Sequence, residues 1–484
     1  MGNQKYQAMS KRIILIMVAG LFQVLFFGRN NLMANDKPPN FIFILADDLG
    51  WTSHSYRMDS RYSSSGSDFY ETPCMDRLVA KGMRFTNAYA PAAICCPSRR
   101  GIQFGQTPAR LGDLTFKEKY AAHRDQWLTI PGVLKSIDPR YRSAHFGKWD
   151  LRAAITPEDI GYDESDGDTG NRNGDVMVDK GKKWTDVYLN DDPKKTVSLT
   201  DRALDFVKRQ NSSGHPFFLQ LSYYATHVDI QAGKEAFQKF SQKKKGEIHN
   251  NAGFAAMLYE LDKGIGRIMD KLKELGIDNN TYIIFMADNG GVDFIPPPPV
   301  KDKMNPPASF GKKMGNYPLR GGKWVLYEGG IRVPFIVCGP HIKQGTVSNV
   351  PVAGFDLLPT IGDLAGGIKA LPEFLDGGSI KPVLHNRTGD KIIRKEDAFF
   401  FHRYNNAYKH SSIIDGRYKL VKIWKTNKLE LYDLENDIGE VHDLSPEMPE
   451  LAKKMNEELI AYFQKVGSEA LSSGPLLKTN NKSQ

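Results

Sequence analysis

Four apolar runs, each stopped by a polar turn, dominate the hydrophobic pattern of the chain. Asn40-Phe-Ile-Phe-Ile-Leu-Ala46, bounded by Pro39 and by Asp47-Asp48-Leu-Gly50, reads as a buried strand of a parallel sheet. Tyr282 to Ala287, stopped by Asp288-Asn289-Gly-Gly291, has the same character, as do Phe217 to Tyr223 and Phe335 to Cys338. Between them, Met257, Leu258, Leu261, Ile265, Ile268, Met269, Leu272 and Leu275 recur at three- and four-residue spacing, which predicts a long amphipathic helix over 254–275. A second helical pattern runs through Leu204 and Val207. Strands alternating with helices predict an α/β fold, a large mostly parallel sheet with helices on both faces. Near residue 390 the pattern shortens. Phe399–Phe401, Ser411–Ile414, Tyr418–Trp424 and Leu429–Tyr432 are brief β-rich runs separated by turns such as Asp415-Gly416 and Thr426-Asn427, and a helix follows over Pro449–Val466. A smaller C-terminal antiparallel sheet with one helix is expected there.

The first 34 residues have another logic. Lys5, Lys11 and Arg12 precede an apolar stretch from Ile13 to Phe27, and Ala34 closes a small polar run. This order predicts an exported, periplasmic or secreted, protein with a signal peptide over 1–34; an uncleaved anchor is the alternative. The expected division is then a catalytic α/β domain over 35–385, a C-terminal α+β subdomain over 386–470 and a flexible tail over 471–484. A Pro- and Lys-bearing stretch from Pro296 to Lys313 reads as a long surface loop.

Charge changes the picture less than it first suggests. The 484 residues carry 65 basic and 56 acidic side chains, a formal +9. Residues 1–34 hold four of the basic residues and none of the acidic ones, so the remaining 450 residues carry +5. No basic block interleaved with aromatics remains, so no nucleic-acid partner is expected, nor stable membrane insertion. Four cysteines in this length exclude a disulfide scaffold.

Two features carry chemistry. Asp47-Asp48 and Asp288-Asn289 each follow an apolar strand, and in open α/β sheets the carboxyl ends of strands form the ligand crevice. Four hard oxygen donors meeting there suit Ca²⁺ or Mg²⁺; either pair alone reads rather as a turn or helix cap, and it is the two together that point to a metal. The second feature is Cys95-Cys96-Pro97-Ser98-Arg99, a turn into a helix with Ser98 as a candidate cap, or simply two small buried thiols.

Cys-x-Pro-Ser-Arg resembles the signature of the type I, formylglycine-dependent sulfatases of the alkaline phosphatase superfamily, and the further motifs follow in the family's order. They are Asp47-Asp48-Leu-Gly50, Phe146-Gly-Lys148-Trp149, Thr226-His227, Asp288-Asn289-Gly290, Gly322-Lys323 with Tyr327-Glu-Gly-Gly-Ile-Arg-Val-Pro334, and Leu431-Tyr-Asp-Leu434 with Asn436, Asp437 and Glu440. The resemblance implies an alkaline phosphatase-like fold and a sulfuric ester hydrolase. It implies conversion of Cys95 to formylglycine (3-oxoalanine) by a formylglycine-generating or anaerobic sulfatase-maturating enzyme. It implies one Ca²⁺ held by Asp47, Asp48, Asp288 and Asn289 together with modified Cys95. Arg99, Lys148, His227 and Lys323 would complete the catalytic set. Lys148 and Lys323 would neutralise sulfate, and His227 would protonate the leaving oxygen. The exported, net-positive character is similar to that of bacterial sulfatases acting on algal polysaccharides such as ulvan, so the expected substrate is a sulfated carbohydrate. Asp166-Gly-Asp168-Thr-Gly-Asn171-Arg-Asn173 is a polar loop that could line a sugar subsite, or a plain surface loop.

Three departures from the family pattern stand out. Asp150 stands where a histidine is usual, and Asp150 or His145 would have to supply its role. Phe104-Gly105-Gln106 replaces Thr-Gly-Arg, and Cys74 replaces an asparagine. The rival functions are a phosphate or phosphonate ester hydrolase of the same superfamily and a non-catalytic carbohydrate-binding relative.

Overall fold

The apolar run Asn40–Ala46 is strand β1, and it lies in the middle of the molecule's main sheet. The computed structural model describes residues 37–174, 187–292, 315–367, 374–385, 392–404 and 409–472. The leader expected over 1–34, the loop expected over 296–313 and all but the first two residues of the tail expected over 471–484 lie outside them.

Among the described residues the main sheet has eight strands. After β1 they are β2 (Met83–Phe85), β3 (Arg142–Gly147), β4 (Glu164–Ser165), β5 (Phe217–Ser222), β6 (Thr281–Ala287), β7 (Phe335–Cys338) and β8 (Thr346–Ser348). In space they run β8-β2-β7-β6-β1-β5-β3-β4. Every residue of β1, β5 and β6 is buried, the environment that continuous Ile, Leu and Phe runs require when both faces of a sheet are covered. The helices α1 (Pro73–Lys81) and α3 (Thr196–Ser213) pack against the sheet, and α2 (Cys95–Phe104), α4 (Ala252–Glu274) and α5 (Leu357–Leu364) contribute to the same hydrophobic core.

Register positions the chemistry. β3, β5, β1 and β6 are neighbours and run parallel, with Gly147 opposite Ser222, Leu45 opposite Ser222, and Ala46 opposite Ala287. Lys148, Tyr223, Asp47 and Asp288 therefore leave the sheet side by side, along one edge, at the carboxyl ends of their strands.

Two expectations need correcting. Phe335–Cys338 is a buried strand as expected, but it pairs antiparallel with both β6 and β2, so it runs against the rest of the sheet. Its apolar pattern specifies burial and carries no direction. Ser98 is not a cap: the N-cap of α2 is Ile94, and Ser98 lies inside the helix with its hydroxyl buried.

The C-terminal pattern forms a separate antiparallel meander of β9 (Phe399–Tyr404), β10 (Lys409–Asp415), β11 (Tyr418–Ile423) and β12 (Lys428–Asp433), followed by α6 (Pro449–Lys465). Asp415 pairs with Tyr418 and Ile423 with Lys428, so the turns fall close to where Asp415-Gly416 and Thr426-Asn427 announced them. Phe400, Ile413, Leu420 and Leu431 of this sheet share one core with Leu459 and Phe463 of α6. By internal packing the chain divides into Met1–Pro38 and Pro39–Gln484, and both sheets belong to the second unit.

Candidate active site

Asp47 and Asp48 directly follow β1, and Asp288 and Asn289 directly follow β6; all four are buried. The Asp48 N–H donates to Asp288 Oδ1 at 3.1 Å, and Asn289 Nδ2 donates to Asp48 Oδ1 at 2.8 Å. Lys148 follows β3. The backbone turns there at Gly147, whose φ is +95° and whose added Cβ would fall 2.0 Å from the Ser222 carbonyl oxygen, so only glycine fits. This turn delivers Lys148 Nζ to 2.6 Å from Asp47 Oδ2. Lys323, on a loop whose N–H donates to the Gly291 carbonyl at 2.9 Å, brings its Nζ to 2.6 Å from Asp48 Oδ2. Arg99, one turn into α2, places Nε 2.8 Å from Asp288 Oδ2 and donates from Nη1 to the Lys148 carbonyl. His227, five residues past β5, lies with Nε2 3.0 Å from Lys323 Nζ and 3.6 Å from Asp48 Oδ2. Cys95 is the first residue of α2 and is buried. The structure thus gathers the sequence candidates Asp47, Asp48, Cys95, Arg99, Lys148, His227, Asp288, Asn289 and Lys323 into one interior cluster.

The electrostatics follow from burial and close opposite charge. Burial alone would raise the Asp47 carboxyl, but Lys148, His227, Arg99 and Lys323 outweigh it and hold Asp47 well below the usual range. Asp288 goes the other way, up to about 7, because burial and the neighbouring Asp47 charge exceed what Arg99 and Lys148 return. Burial would discharge Lys148 and Lys323, yet Asp47 and Asp48 respectively hold each above the ordinary lysine value. Burial and the Lys323 ammonium lower His227 to about 4, so its imidazole is neutral near pH 7. Burial pushes the Cys95 thiol far up, and Lys148 counters only part of that.

The donor set suits a hard cation. Asp47 Oδ1 and Asn289 Oδ1 are buried without a hydrogen-bond partner among the described residues. One ligand atom from each of Asp47, Asp48 and His227 lies within 4.8 Å of the others. Buried oxygens left unpaired at the ends of two adjacent strands are donors of the kind a hard cation takes. The wider acid set carries formal charge that Lys148, Lys323 and Arg99 match.

Sequence reasoning left part of the site open. Asp150 is buried with Oδ2 3.8 Å from Lys148 Nζ and Oδ1 3.0 Å from Arg152 Nε. Burial would raise its carboxyl, but Lys148 and Arg152 hold it below the usual range. It sits among the charged groups acting on Cys95, whereas His145 bonds Ser222 Oγ at 3.1 Å and stacks edge-on to Trp149. The polar loop over 166–173 packs against the Gly147–Asp150 turn. The Gly147 N–H donates to Asp166 Oδ2 at 2.7 Å, Trp149 N–H to Thr169 Oγ1 at 3.0 Å, and Asp150 N–H to the Thr169 carbonyl at 2.8 Å. Arg152 was not singled out from the sequence; its only signal was its place two residues beyond the unusual Asp150.

The family model described as Sulfatase matches residues 39–368, and one described as N-sulphoglucosamine sulphohydrolase, C-terminal, matches residues 321–465. A protein of Formosa agariphila described as a sulfatase is 28% identical, over 89% of this chain and 90% of its own. The N-acetylgalactosamine-6-sulfatase of Sus scrofa is 30% identical, over 72% of this chain and 69% of its own. Among solved structures, Ps i-CgsB superposes with a TM-score of 0.69 at 27% identity, over 88% of this chain and 93% of that one. Its complex with k-i-k-neocarrahexaose gives a TM-score of 0.67 at 26% identity, with the same coverage.

Proposed function

Since the chain belongs to the sulfatase family and is a sulfuric ester hydrolase, we propose that it removes sulfate from carbohydrate esters at the cluster around Cys95. The observation that carries this reading is that Lys148, Lys323 and Arg99, paired with Asp47, Asp48 and Asp288, lie close enough to the buried Cys95 to act on its charge, beside two unpaired carboxamide and carboxylate oxygens. A sulfate ester keeps a full negative charge through the reaction, and fixed cations in a water-poor pocket stabilise it without reorganisation.

Asp47, Asp48, Asp288 and Asn289 would hold Ca²⁺. Bound there, the ion would polarise the sulfate oxygens, and a formylglycine made from Cys95 would supply the attacking oxygen. An unmodified thiol is a poor candidate for that role, since burial keeps it protonated. Arg99 ties Asp288 to the Lys148 carbonyl and so fixes both sides of the pocket. Lys323 Nζ donates to His227 Nε2, and His227 Nδ1 faces the Val228 carbonyl. The proton for the leaving oxygen therefore sits on the Lys323–His227 pair rather than on a free imidazolium. An anionic sulfate beside the pair would offset the Lys323 charge and raise the proton affinity of His227. Asp150, kept anionic by Lys148 and Arg152, occupies the place next to the reacting residue that is usually a histidine's.

The carbohydrate class rests on relatives. By its name, the pig relative acts on a sulfated amino sugar, and Ps i-CgsB has been captured with a carrahexaose. An algal polysaccharide such as ulvan is one member of that class. Taking residues 1–34 as an export leader, the enzyme acts in the periplasm or outside the cell after a maturation enzyme has modified Cys95. Among the described residues no helix is long and apolar enough to cross a membrane. The test is a sulfate-release assay by ion chromatography across defined sulfated oligosaccharides and matched phosphate esters. Protein co-expressed with a maturation enzyme would be used, with Cys95 conversion verified by peptide mass. Sulfate release from sugars supports the reading. Faster phosphate release, or no sulfate release from fully converted protein, overturns it.

A further inference from the structure

The loop that follows Lys148 is strained in its backbone. Asp150, Arg152, Ala153 and Ala154 have φ of +54°, +54°, +82° and +55°, four left-handed non-glycine residues within five positions. Each such residue is backbone-strained, and strain of this kind persists only where surrounding contacts impose it. Here they do. Arg100 Nε donates to the Leu151 carbonyl at 2.8 Å, Trp149 Nε1 donates to the Ile155 carbonyl at 2.7 Å, and Asp150 N–H bonds Thr169.

The result is an arginine presented at the rim of the Cys95 cluster. The Arg152 side chain is 60% exposed, while that of its partner Asp150 is 6% exposed. Nε is anchored on Asp150 Oδ1, and among the described residues no hydrogen bond occupies Nη1 or Nη2. Asp150 Oδ2 is itself buried without a hydrogen-bond partner there, as is Asn171 Oδ1 on the adjoining loop. A solvated surface arginine needs neither a strained loop nor a buried carboxylate to orient it. A largely exposed guanidinium held at Nε, with both terminal nitrogens left for a ligand, can act as a bidentate anion receptor.

We infer that Arg152, oriented by Asp150 and flanked by the 168–173 loop, forms a second anion subsite that selects sugars bearing a carboxylate or a further sulfate next to the scissile sulfate. This rests on the carbohydrate sulfatase reading and makes it more specific. Lys148 and Lys323 serve the sulfate that leaves; Arg152 serves a charge that stays on the sugar.

Binding tests it apart from turnover. In a Cys95→Ala protein, calorimetry would compare N-acetylgalactosamine 6-sulfate with its 4,6-disulfate and with the glucuronate-linked 6-sulfated disaccharide. Each doubly anionic sugar would be compared with the monosulfate before and after Arg152→Met, with thermal melts verifying the fold. The expected result is a preference for at least one doubly anionic sugar that falls at least tenfold in Arg152→Met; which sugar loses it identifies carboxylate or sulfate as the recognised group. Preferences within twofold of the parent for both sugars overturn the inference. An Asp150→Asn/Arg152→Met double variant separates recognition from mere neutralisation of Asp150. A preference that stays low supports recognition, and one restored to the parent value overturns it. Inactive, fully converted wild-type enzyme would count against the hydrolase assignment alone, because these affinities do not depend on turnover.

Discussion

At the scale of single residues, the cluster is a set of buried charges that tolerate burial only because each has a partner. Lys148 and Asp47 are both fully buried and 2.6 Å apart, so removing either leaves the other uncompensated. Lys148→Ala and Lys323→Ala are each expected to lower kcat by about 10²–10³-fold, the size of loss seen when one fixed stabiliser of a developing charge is removed. Steady-state sulfate release would measure it, and a loss below threefold would remove that lysine from the mechanism. Gly147→Ala should act one step earlier. With φ at +95° and a Cβ 2.0 Å from the Ser222 oxygen, alanine is expected to cost about 1–3 kcal/mol in backbone strain and to displace Lys148. Urea denaturation and activity should fall together. Much of this set was legible in the chain, because Asp47, Asp48, Asp288 and Asn289 stand directly after apolar strands and Lys148, His227 and Lys323 lie in motifs that resemble the family's. Their mutual contacts were not. Asp150 meets Thr169 and Arg152 through turn geometry, and no periodicity encodes a contact between two loops.

At the scale of elements, the loop bearing Lys323 is held from below by the second sheet. Leu326 N–H donates to His410 Nε2 at 2.8 Å, and Tyr327 OH to Glu430 Oε2 at 2.7 Å. Lys419, fully buried on β11, pairs with Glu328 at 2.9 Å and with Glu440 at 2.8 Å. Burial would raise Glu328, but Lys419 and Arg332 hold it below its ordinary value. Lys419→Met leaves two buried carboxylates facing each other and is expected to cost about 3–5 kcal/mol, read from the urea midpoint. His410 gives the same contact a pH dependence. Burial and Arg403 lower it to about 3, so it stays neutral in the fold while an unfolded histidine protonates near 6.5. Between those values the unfolded state binds the extra proton, so stability falls as pH drops from about 6.5 toward 3. His410→Gln keeps an acceptor for Leu326 but cannot titrate, and its melting temperature should decline less steeply over that window. An unchanged slope would show that His410 does not couple to it. The strands of this sheet were readable as short β-rich runs with turn residues between them. β3 was not, because Arg142, Ser143 and His145 interrupt its apolar pattern; it is a strand because β5 lies alongside it. The direction of β7 was equally hidden, since strand direction is set by the connection and not by the residues within it.

At the scale of the whole molecule, the active edge joins parts of the chain some 240 positions apart, through the register of β1 on β6. A cation bridging Asp47 and Asp48 to Asp288 and Asn289 would tie those two strand ends together, so metal binding and fold stability should be one measurement. An unfolded chain cannot hold the four oxygens together, and a ligand that binds only the folded state stabilises it by RT ln(1 + [L]/Kd), about 2.7 kcal/mol at a hundredfold excess over Kd. Protein stripped with a chelator should therefore melt at a lower temperature than the same protein with Ca²⁺ restored, and the shift should grow with the logarithm of Ca²⁺ concentration. Asp47→Asn and Asp288→Asn each weaken the donor set and should flatten that dependence. An exposed carboxylate replaced in the same way, such as Asp125→Asn, should leave it as steep as in the parent. The measurement needs no substrate and no conversion of Cys95. A melting temperature indifferent to Ca²⁺ in the parent would mean that Lys148 and Lys323 already satisfy the acids, and that the two unpaired oxygens at Asp47 and Asn289 are filled by water instead.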